Sequence, residues 1–447
     1  MFSRKKSGGI KITDLNPTEK KFLVLFSISK LYFVTSIIII YLLSKGFSFV
    51  EIAILDATFW GAIFIFEIPT GWVADKYGRK VSLFFSYLFQ AFSLLLLFFE
   101  EVFYLLLLSF LIWGIATTLR SGAEQAWIYD QIIFETTNEK QELSSIDYRF
   151  HGVFSLLMAT GLIAKGLGDI IGGIIASINL SLPILLTALT SLISALFLLI
   201  IPEKRPKTIN TAHRNKYKNS ILKALNELIS NEAIFLFTSI ILIATINSSL
   251  LTWSQAFFKN ELGIDIILIG GIYGATTFLS ALGSSKSQFF NNKLGEKFNL
   301  LLPSILGIIF FIIGMGIKIL SISLYVFGAF FAGLLNPFLI AKINGYLSSE
   351  TRATALSIIS SITTVGVIII EIITALIINQ LGFSWFYYFV AMFYMAIIGP
   401  LLILWKKKRD LRLEKENQEK KNETTERQNM QNNRLDEKEK QTLIVTL

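Results

Sequence analysis

Long apolar stretches recur along most of the chain, and they constrain its fold more than any other feature. Each is close to the roughly 20 residues that an α-helix needs to cross the hydrocarbon core of a bilayer. Of the 447 residues, 53% are hydrophobic and only 16% are charged. We therefore predict an all-α membrane protein with twelve transmembrane helices. The predicted spans are 22–44, 49–72, 81–99, 102–125, 147–169, 173–201, 233–258, 266–288, 300–320, 324–345, 354–378 and 384–405.

Lysine and arginine residues are concentrated in alternate connections, and this asymmetry predicts the orientation of the chain. They occur in the N-terminal leader, the loop 76–80, the linker 202–232 and the exit from the last span. We therefore expect both termini to be cytoplasmic and the protein to lie in the plasma membrane. Topology and contact with anionic lipid explain the net charge of +9, so we expect no nucleic-acid partner.

The linker divides the predicted spans into two groups of six. Its second part, from about Tyr217, is amphipathic and predicts a helix at the membrane surface. The last forty or so residues are strongly charged and predict a disordered tail. The predicted segments are a cytoplasmic leader 1–21, a first bundle 22–201, the linker 202–232, a second bundle 233–405 and a cytoplasmic tail 406–447.

Composition excludes several kinds of catalytic centre. The chain has no cysteine, which excludes thiolate metal sites and cysteine nucleophiles. His151 and His213 are the only histidines, and residues so far apart in sequence do not suggest a metal site. The sequence contains no phosphate-binding G-x-x-x-x-G-K-[ST] pattern. We therefore expect no enzyme activity, no metal and no bound cofactor.

A compact charged segment, GWVADKYGRK, interrupts two apolar spans at residues 71–80. A glycine at its start allows close helix packing, and a second glycine allows a sharp reversal. Its arginine and lysine hold the loop on the cytoplasmic side, while its aspartate can pair with the arginine or approach a helix N-terminus. We expect a gating latch that also includes an acid at the end of span four. The latch residues are Gly71, Asp75, Gly78, Arg79, Lys80 and Asp130.

This loop resembles the signature G-x-x-x-D-x-x-G-R-[RK] of the major facilitator superfamily, and every core position matches. The segment QFFNNKLGEK at 288–297 lies at the corresponding place in the second half, with Glu296 where the arginine would be. The resemblance covers about residues 20–405. It implies two six-helix bundles around a central cavity that opens alternately to each side of the membrane.

Span five ends in AKGLGDIIGG, residues 164–173, which resembles the glycine-rich pattern of the drug:proton antiporters of this superfamily. Gly168, Gly172 and Gly173 match that pattern, whereas Asp169 stands where proline is usual. Glycines at four-residue spacing predict close helix packing.

Charged residues inside apolar spans are costly and therefore suggest function. We expect Lys30 to reach Glu67 and Arg120 to pair with Glu124 one helical turn away. The same charges could be satisfied structural ion pairs, or the acids could be protonated and deprotonated during transport. The candidates for coupling protons and substrate are Asp56, Glu67, Arg120, Glu124, Glu371 and Lys30.

The resemblance implies proton-driven export of a small hydrophobic drug, antibiotic or antimicrobial by alternating access, with the proton gradient as the energy source. Two alternatives within transport are proton-coupled uptake of a small nutrient and export of a short peptide. A membrane-embedded enzyme or a sensor is a more remote alternative. We expect the bilayer and the substrate to be the partners, and the protein to be a monomer.

Overall fold

A computed structural model describes residues 12–138, 143–202, 217–230, 232–348 and 351–446. Helices form nearly all of these ranges, and no strand occurs in them. Residues 1–11 of the leader and residues 203–216 and 231 of the linker, including His213, lie outside the described residues. The predicted all-α class is confirmed within the described ranges.

The first half of the chain forms seven helices. The first begins with a capping box, in which Asn16 and Glu19 each bond the other's backbone N–H. The helices are α1 (Pro17–Ser29), α2 (Ile38–Ser44), α3 (Phe49–Tyr77), α4 (Arg79–Phe99), α5 (Phe103–Asn138), α6 (Leu143–Ile178) and α7 (Leu182–Ile200).

The second half forms seven more helices. Two of them, α9 and α13, continue into short π-helical turns at Phe257–Glu261 and Phe393–Ile398. The helices are α8 (Tyr217–Ile229), α9 (Ala233–Ala256), α10 (Ile266–Gly314), α11 (Lys318–Asn344), α12 (Arg352–Leu381), α13 (Phe383–Met392) and α14 (Gly399–Thr446).

Ten helices in the described part of the chain are long and apolar enough to cross a membrane. One of them, α10, contains two crossings, because Gly295 breaks its 49 residues with a φ of 75° and a ψ of 176°. Helices α1 and α2 are too short to cross singly, and together they form one further span with a break at residues 30–37. The predicted fold of twelve spans in two six-helix bundles is confirmed.

Two predicted turns are wrong. We expected span five to end at residue 169, but α6 continues through the glycines to Ile178. These glycines allow other backbones to approach α6 and do not end it. We also expected spans nine and ten to meet near residue 322, but the turn lies between Gly314 and Lys318, where Gly316 has a φ of 71°.

The charged tail differs from the expected disordered segment. Helix α14 continues from the last span to Thr446 without a break, and the side chains of 411–423 are exposed. At its base, Arg412 pairs with Glu232 at 2.8 Å. The base of the tail is therefore attached to the second bundle.

The linker helix α8 also packs on the second bundle, with Ala224 and Leu228 fully buried. Burial opposes ionisation of Glu227 on this helix, but hydrogen bonds from the Thr351 hydroxyl and the Ser348 N–H outweigh it and lower the pKa of Glu227. The predicted amphipathic helix therefore exists, with its apolar face against protein.

The two bundles pack against each other most closely in the half remote from the 71–80 loop. We call the end that carries this loop, the linker and the tail the basic end. Near the opposite end, a Cβ on Gly173 would lie 2.7 Å from the Gly270 Cα, so α6 and α10 touch through their backbones. Towards the basic end of α3, Ile65, Ile68 and Trp72 are all more than half exposed. The bundles are thus closed at the opposite end and diverge towards the basic end.

We predict that Gly173→Ala disrupts this closure. The added methyl group would overlap the α10 backbone, and overpacking of this kind costs about 1–3 kcal/mol. The expected result is a thermal unfolding midpoint several degrees lower in detergent solution. Gly271→Ala is the matched control, because a Cβ there meets nothing within 4 Å. An equal midpoint for the two variants would contradict the close backbone contact.

Candidate functional site

A cavity of about 520 Å³ lies between the two bundles. Its lining comes from the broken first span and from α3, α5, α6 and α9. Aromatic rings contribute much of the wall, and Phe59 packs edge-to-face against both Trp60 and Trp113. The aromatic lining residues are Tyr32, Phe59, Trp60, Phe110 and Trp113.

The break in the first span is held by side chains from both halves of the protein. The Thr187 hydroxyl accepts hydrogen bonds from the N–H groups of Phe33 and Val34. From the other bundle, the Gln255 amide accepts from the Ile39 N–H and donates to the Thr35 carbonyl. These bonds satisfy backbone groups that cannot bond to water inside a membrane. No local sequence pattern pointed to either residue, because both act on a distant segment of the chain.

The expected pairing of Lys30 with Glu67 is wrong. Lys30 bonds Glu124 at 3.3 Å, because the end of α1 lies beside α5 at that depth. The expected pairing of Arg120 with Glu124 is also replaced, since the Arg120 guanidinium donates to the Gln90 side-chain oxygen at 2.9 Å. The Tyr32 hydroxyl donates to the same oxygen. Arg120 is therefore bound to a neutral group.

A second ion pair at the bundle interface was missed. Lys165 lines the cavity and bonds Asp169 at 2.9 Å on the same helix. Asp169 is completely buried and also accepts from Thr277 of α10 at 3.4 Å. The signal in the sequence is a pair of opposite charges four residues apart inside an apolar helix. The surrounding glycine pattern was interpreted only as a site of helix packing.

Asp56 and Glu371 lie on α3 and α12, two helices of opposite bundles that pack against each other. Asp56 on α3 lines the cavity and accepts a hydrogen bond from Trp60 at 3.1 Å. Glu371 on α12 is fully buried and accepts from Thr252 at 3.3 Å. The two carboxyl groups are close enough to interact electrostatically. Neither forms an ion pair with a lysine or arginine among the described residues.

Glu67 lies apart from this group, nearer the basic end. It lines a smaller cavity of about 220 Å³ between α3 and α5, together with Gly71, Asp75 and Arg79. The two acids are eleven residues apart on α3, about three helical turns, and they line separate cavities.

The glycines of span five contact the broken span and the other bundle. A Cβ on Gly172 would lie 2.0 Å from the Phe33 carbonyl oxygen, and one on Gly168 would lie 3.0 Å from the Tyr32 nitrogen. Gly173 instead contacts α10, as described above. These positions let the irregular backbone of residues 30–37 lie directly on α6.

The 71–80 loop joins α3 and α4 at Gly78, which has a φ of 108°. Arg79 forms an ion pair with Asp130 and also donates to the Ala126 carbonyl at 2.6 Å. Lys80 donates to the carbonyl of Ile201 at 2.6 Å. The structure therefore brings Arg79 to Asp130 at the end of α5, while Asp75 lines the adjacent small cavity.

The second half has a charge-reversed counterpart of this ion pair. Glu296 follows Gly295 as Arg79 follows Gly78, and it accepts from Lys342 at the end of α11 at 2.7 Å. Arg409 of α14 binds the same carboxylate with two hydrogen bonds of 2.7 and 2.6 Å. Thus each half ties two helices together at the basic end, with the sign of the charges exchanged.

The arrangement of helices, cavity and loop defines a secondary transporter fold. A sequence profile described as Major Facilitator Superfamily matches residues 22–326 and 304–444. The chain is 24% identical over 370 residues to the uncharacterized MFS-type transporter YxaM of Bacillus subtilis (strain 168), covering 80% of this chain and 88% of YxaM.

Solved structures agree with the fold. The nucleoside transporter NupG superposes with a TM-score of 0.70 at 15% identity, covering 88% of this chain and 100% of NupG. A D-xylose-proton symporter gives a TM-score of 0.62 at 14% identity, covering 87% of this chain and 95% of the symporter. The chain belongs to the Major Facilitator Superfamily. Its family and fold are those of transporters, and it is a multi-pass membrane protein.

We predict that Arg79→Ala weakens the basic end, because it removes the ion pair between Arg79 and the half-buried Asp130 carboxylate. Losing a hydrogen bond to a charged group costs about 1.5–3 kcal/mol. We expect a lower thermal unfolding midpoint with unchanged membrane insertion, measured on protein from isolated membranes. The exchanged pair Arg79→Asp with Asp130→Arg should recover part of the loss. No recovery in that double variant would contradict a direct ion pair.

Proposed function

We propose that this protein exports small hydrophobic drugs, antibiotics or antimicrobials from the cytoplasm in exchange for protons. In this proposal it lies in the plasma membrane with both termini cytoplasmic, so the basic end faces the cytoplasm. The observation that carries the proposal is the meeting of Asp56 and Glu371 across the bundle interface, without a lysine or arginine partner among the described residues.

Two ionised carboxylates held together in a membrane repel each other and are poorly solvated. Closure at the opposite end brings this pair together, so closure is more stable when at least one acid is protonated. Asp56 lines the cavity, which gives a protonated pair a route for releasing its proton towards the basic end. The protonation state of the pair and the position of the bundles are thereby linked.

This linkage produces exchange. A proton taken up from outside neutralises the pair and allows the outer end to close. Loss of that proton to the cytoplasm restores the repulsion, while substrate enters the cavity from the same side. The repulsion then favours reopening to the outside with substrate bound, and a new proton completes the cycle.

The lining of the cavity supports a hydrophobic substrate. Its aromatic residues offer stacking surfaces, and the second bundle contributes only Ser248, Leu251, Thr252 and Gln255. Recognition of a sugar would require more amide and hydroxyl groups than these. Uptake of a nutrient nevertheless remains a second candidate, because the family includes symporters such as the D-xylose-proton symporter named above.

The test measures accumulation of lipophilic fluorescent compounds in cells with and without the protein. Export predicts lower accumulation in expressing cells and its restoration by an uncoupler. Proton-coupled uptake predicts higher accumulation that the uncoupler abolishes. Identical accumulation across the panel, with and without the uncoupler, would count against export of such compounds.

We predict that Asp56→Asn and Glu371→Gln each reduce proton-driven transport by about tenfold or more, a typical size for a coupling free energy. Both variants remove the repulsion between ionised acids, so they should also lose the dependence of the rate on pH. The assay is transport into inverted vesicles across a range of external pH. Asp265→Asn is the matched control, since it removes an exposed carboxylate at the same end of the bundle. Wild-type pH dependence in both Asp56→Asn and Glu371→Gln would contradict the proposed role of these acids in coupling.

A further inference from the structure

We propose that the cavity recognises an amphipathic organic monoanion, with its negative group bound by Arg120 in the cationic cluster that Lys30 and Lys165 complete. The proposal rests on the proposed transport function and specifies its class of substrate. It narrows that class from hydrophobic compounds in general to those that combine an apolar body with a single acidic group.

Three cations line the same cavity, and all of them come from the first bundle. Lys30 packs on α6, where a Cβ on Gly161 would lie 3.3 Å from the Lys30 Cγ. Lys165 lies one helical turn further along α6. On the other side, Lys30 bonds Glu124, which is one turn from Arg120 on α5. Lys30 therefore lies between the α6 segment that carries Lys165 and the α5 segment that carries Glu124 and Arg120.

The charges in this cluster do not cancel. Lys30 is balanced by Glu124, and Lys165 is balanced by Asp169. The Arg120 guanidinium is bound to the neutral amide of Gln90 and lies 5.8 Å from the centre of the Tyr32 ring. Glu124 attracts Arg120 as well as Lys30, but the three cations and the two acids bonded to them still sum to one positive charge, at a depth where an unbalanced charge is costly. A carboxylate or similar anion from the substrate would balance it and could accept two hydrogen bonds from the guanidinium.

The rest of the cavity suits the apolar part of such a molecule. Phe59, Trp60 and Trp113 form a connected aromatic wall away from the cations. The wall from the second bundle contributes no charged side chain to the lining. Trp113 lies about two helical turns from Arg120 on the same face of α5, so a substrate with an aromatic body can place its acid at Arg120 and stack its ring on this wall.

Asp56 limits the substrate to one negative charge. It lies on the aromatic wall beside Trp60 and interacts with Glu371, so this side of the cavity already contains acidic groups. A second negative group on the substrate would be repelled there. A positive group would instead be attracted to Asp56, so a zwitterion is the competing outcome that the experiment must separate.

The experiment measures binding to purified protein in detergent at neutral pH by calorimetry, without any proton gradient. Four probes share one naphthalene ring and differ in charge: 2-naphthoate, 2-naphthamide, 2-naphthylmethylammonium and 3-(2-naphthyl)alanine. We expect 2-naphthoate to bind about tenfold or more tightly than either the amide or the ammonium compound, as a charge-assisted hydrogen bond implies. If 2-naphthoate binds no better than 2-naphthamide, the proposal is overturned. If 3-(2-naphthyl)alanine binds most tightly, the proposal is overturned in favour of a zwitterionic substrate.

Variants assign the preference to Arg120. Arg120→Gln should remove the advantage of 2-naphthoate over 2-naphthamide. Arg120→Lys should restore part of the advantage, and it also tests whether loss of binding reflects misfolding. Lys45→Gln is the matched control, because Lys45 is a paired cation at the opposite end, outside the cavity. A full advantage in Arg120→Gln would contradict the assignment.

The test of substrate recognition and the test of proton coupling can fail independently of each other. The calorimetric test requires neither transport nor protons, so a negative result there leaves the exchange mechanism of Asp56 and Glu371 standing. Conversely, wild-type pH dependence in the Asp56→Asn and Glu371→Gln variants would contradict proton coupling by these acids and would leave the preference for the anionic probe standing.

Discussion

The cost of an unbalanced charge in a bilayer organises this structure. Ion pairs hold several of the described charges within the spans. Lys30 joins the end of α1 to α5, and Lys165 with Asp169 reaches Thr277 of the other bundle. The following charged groups depart from this pattern, because they form no ion pair among the described residues. Arg120 is bound to a neutral amide, while Asp56 and Glu371 face each other. The proposed substrate site and the proposed proton site are these two exceptions.

Each half of the protein has an ion pair between two helices at the basic end, and the signs of the charges are exchanged between the halves. In each half a glycine with positive φ allows the chain to reverse, and the next residue pairs with the end of a neighbouring helix. The second half adds Arg409 of α14 to its pair, which attaches the tail helix at the basic end. In a duplicated fold, the residue after each of these glycines must contact the same neighbouring helix of its own half at the basic end. Either sign of charge meets that requirement, provided that both partners change together.

The sequence predicted the class of fold, the number of spans and the family, because each depends on local patterns. Hydrophobic length determines a span, and the spacing of Gly71, Asp75, Gly78 and Arg79 lies within one loop. Boundaries that depended on packing were less predictable. The glycines at 168–173 were read as the end of a helix, whereas they continue it and allow other backbones to touch it.

Sequence alone therefore determined that the chain crosses a membrane twelve times in two related halves, because apolar length and the signature loop are local properties. It also supplied most of the charged candidates, since acids and bases inside apolar runs are visible without a structure. Only the tertiary structure decided their partners: Lys30 with Glu124 rather than Glu67, Arg120 with Gln90, and Asp56 opposite Glu371. These partners lie on helices far apart in the chain, and their distances depend on how twelve helices rotate and tilt against one another. No local pattern encodes that packing.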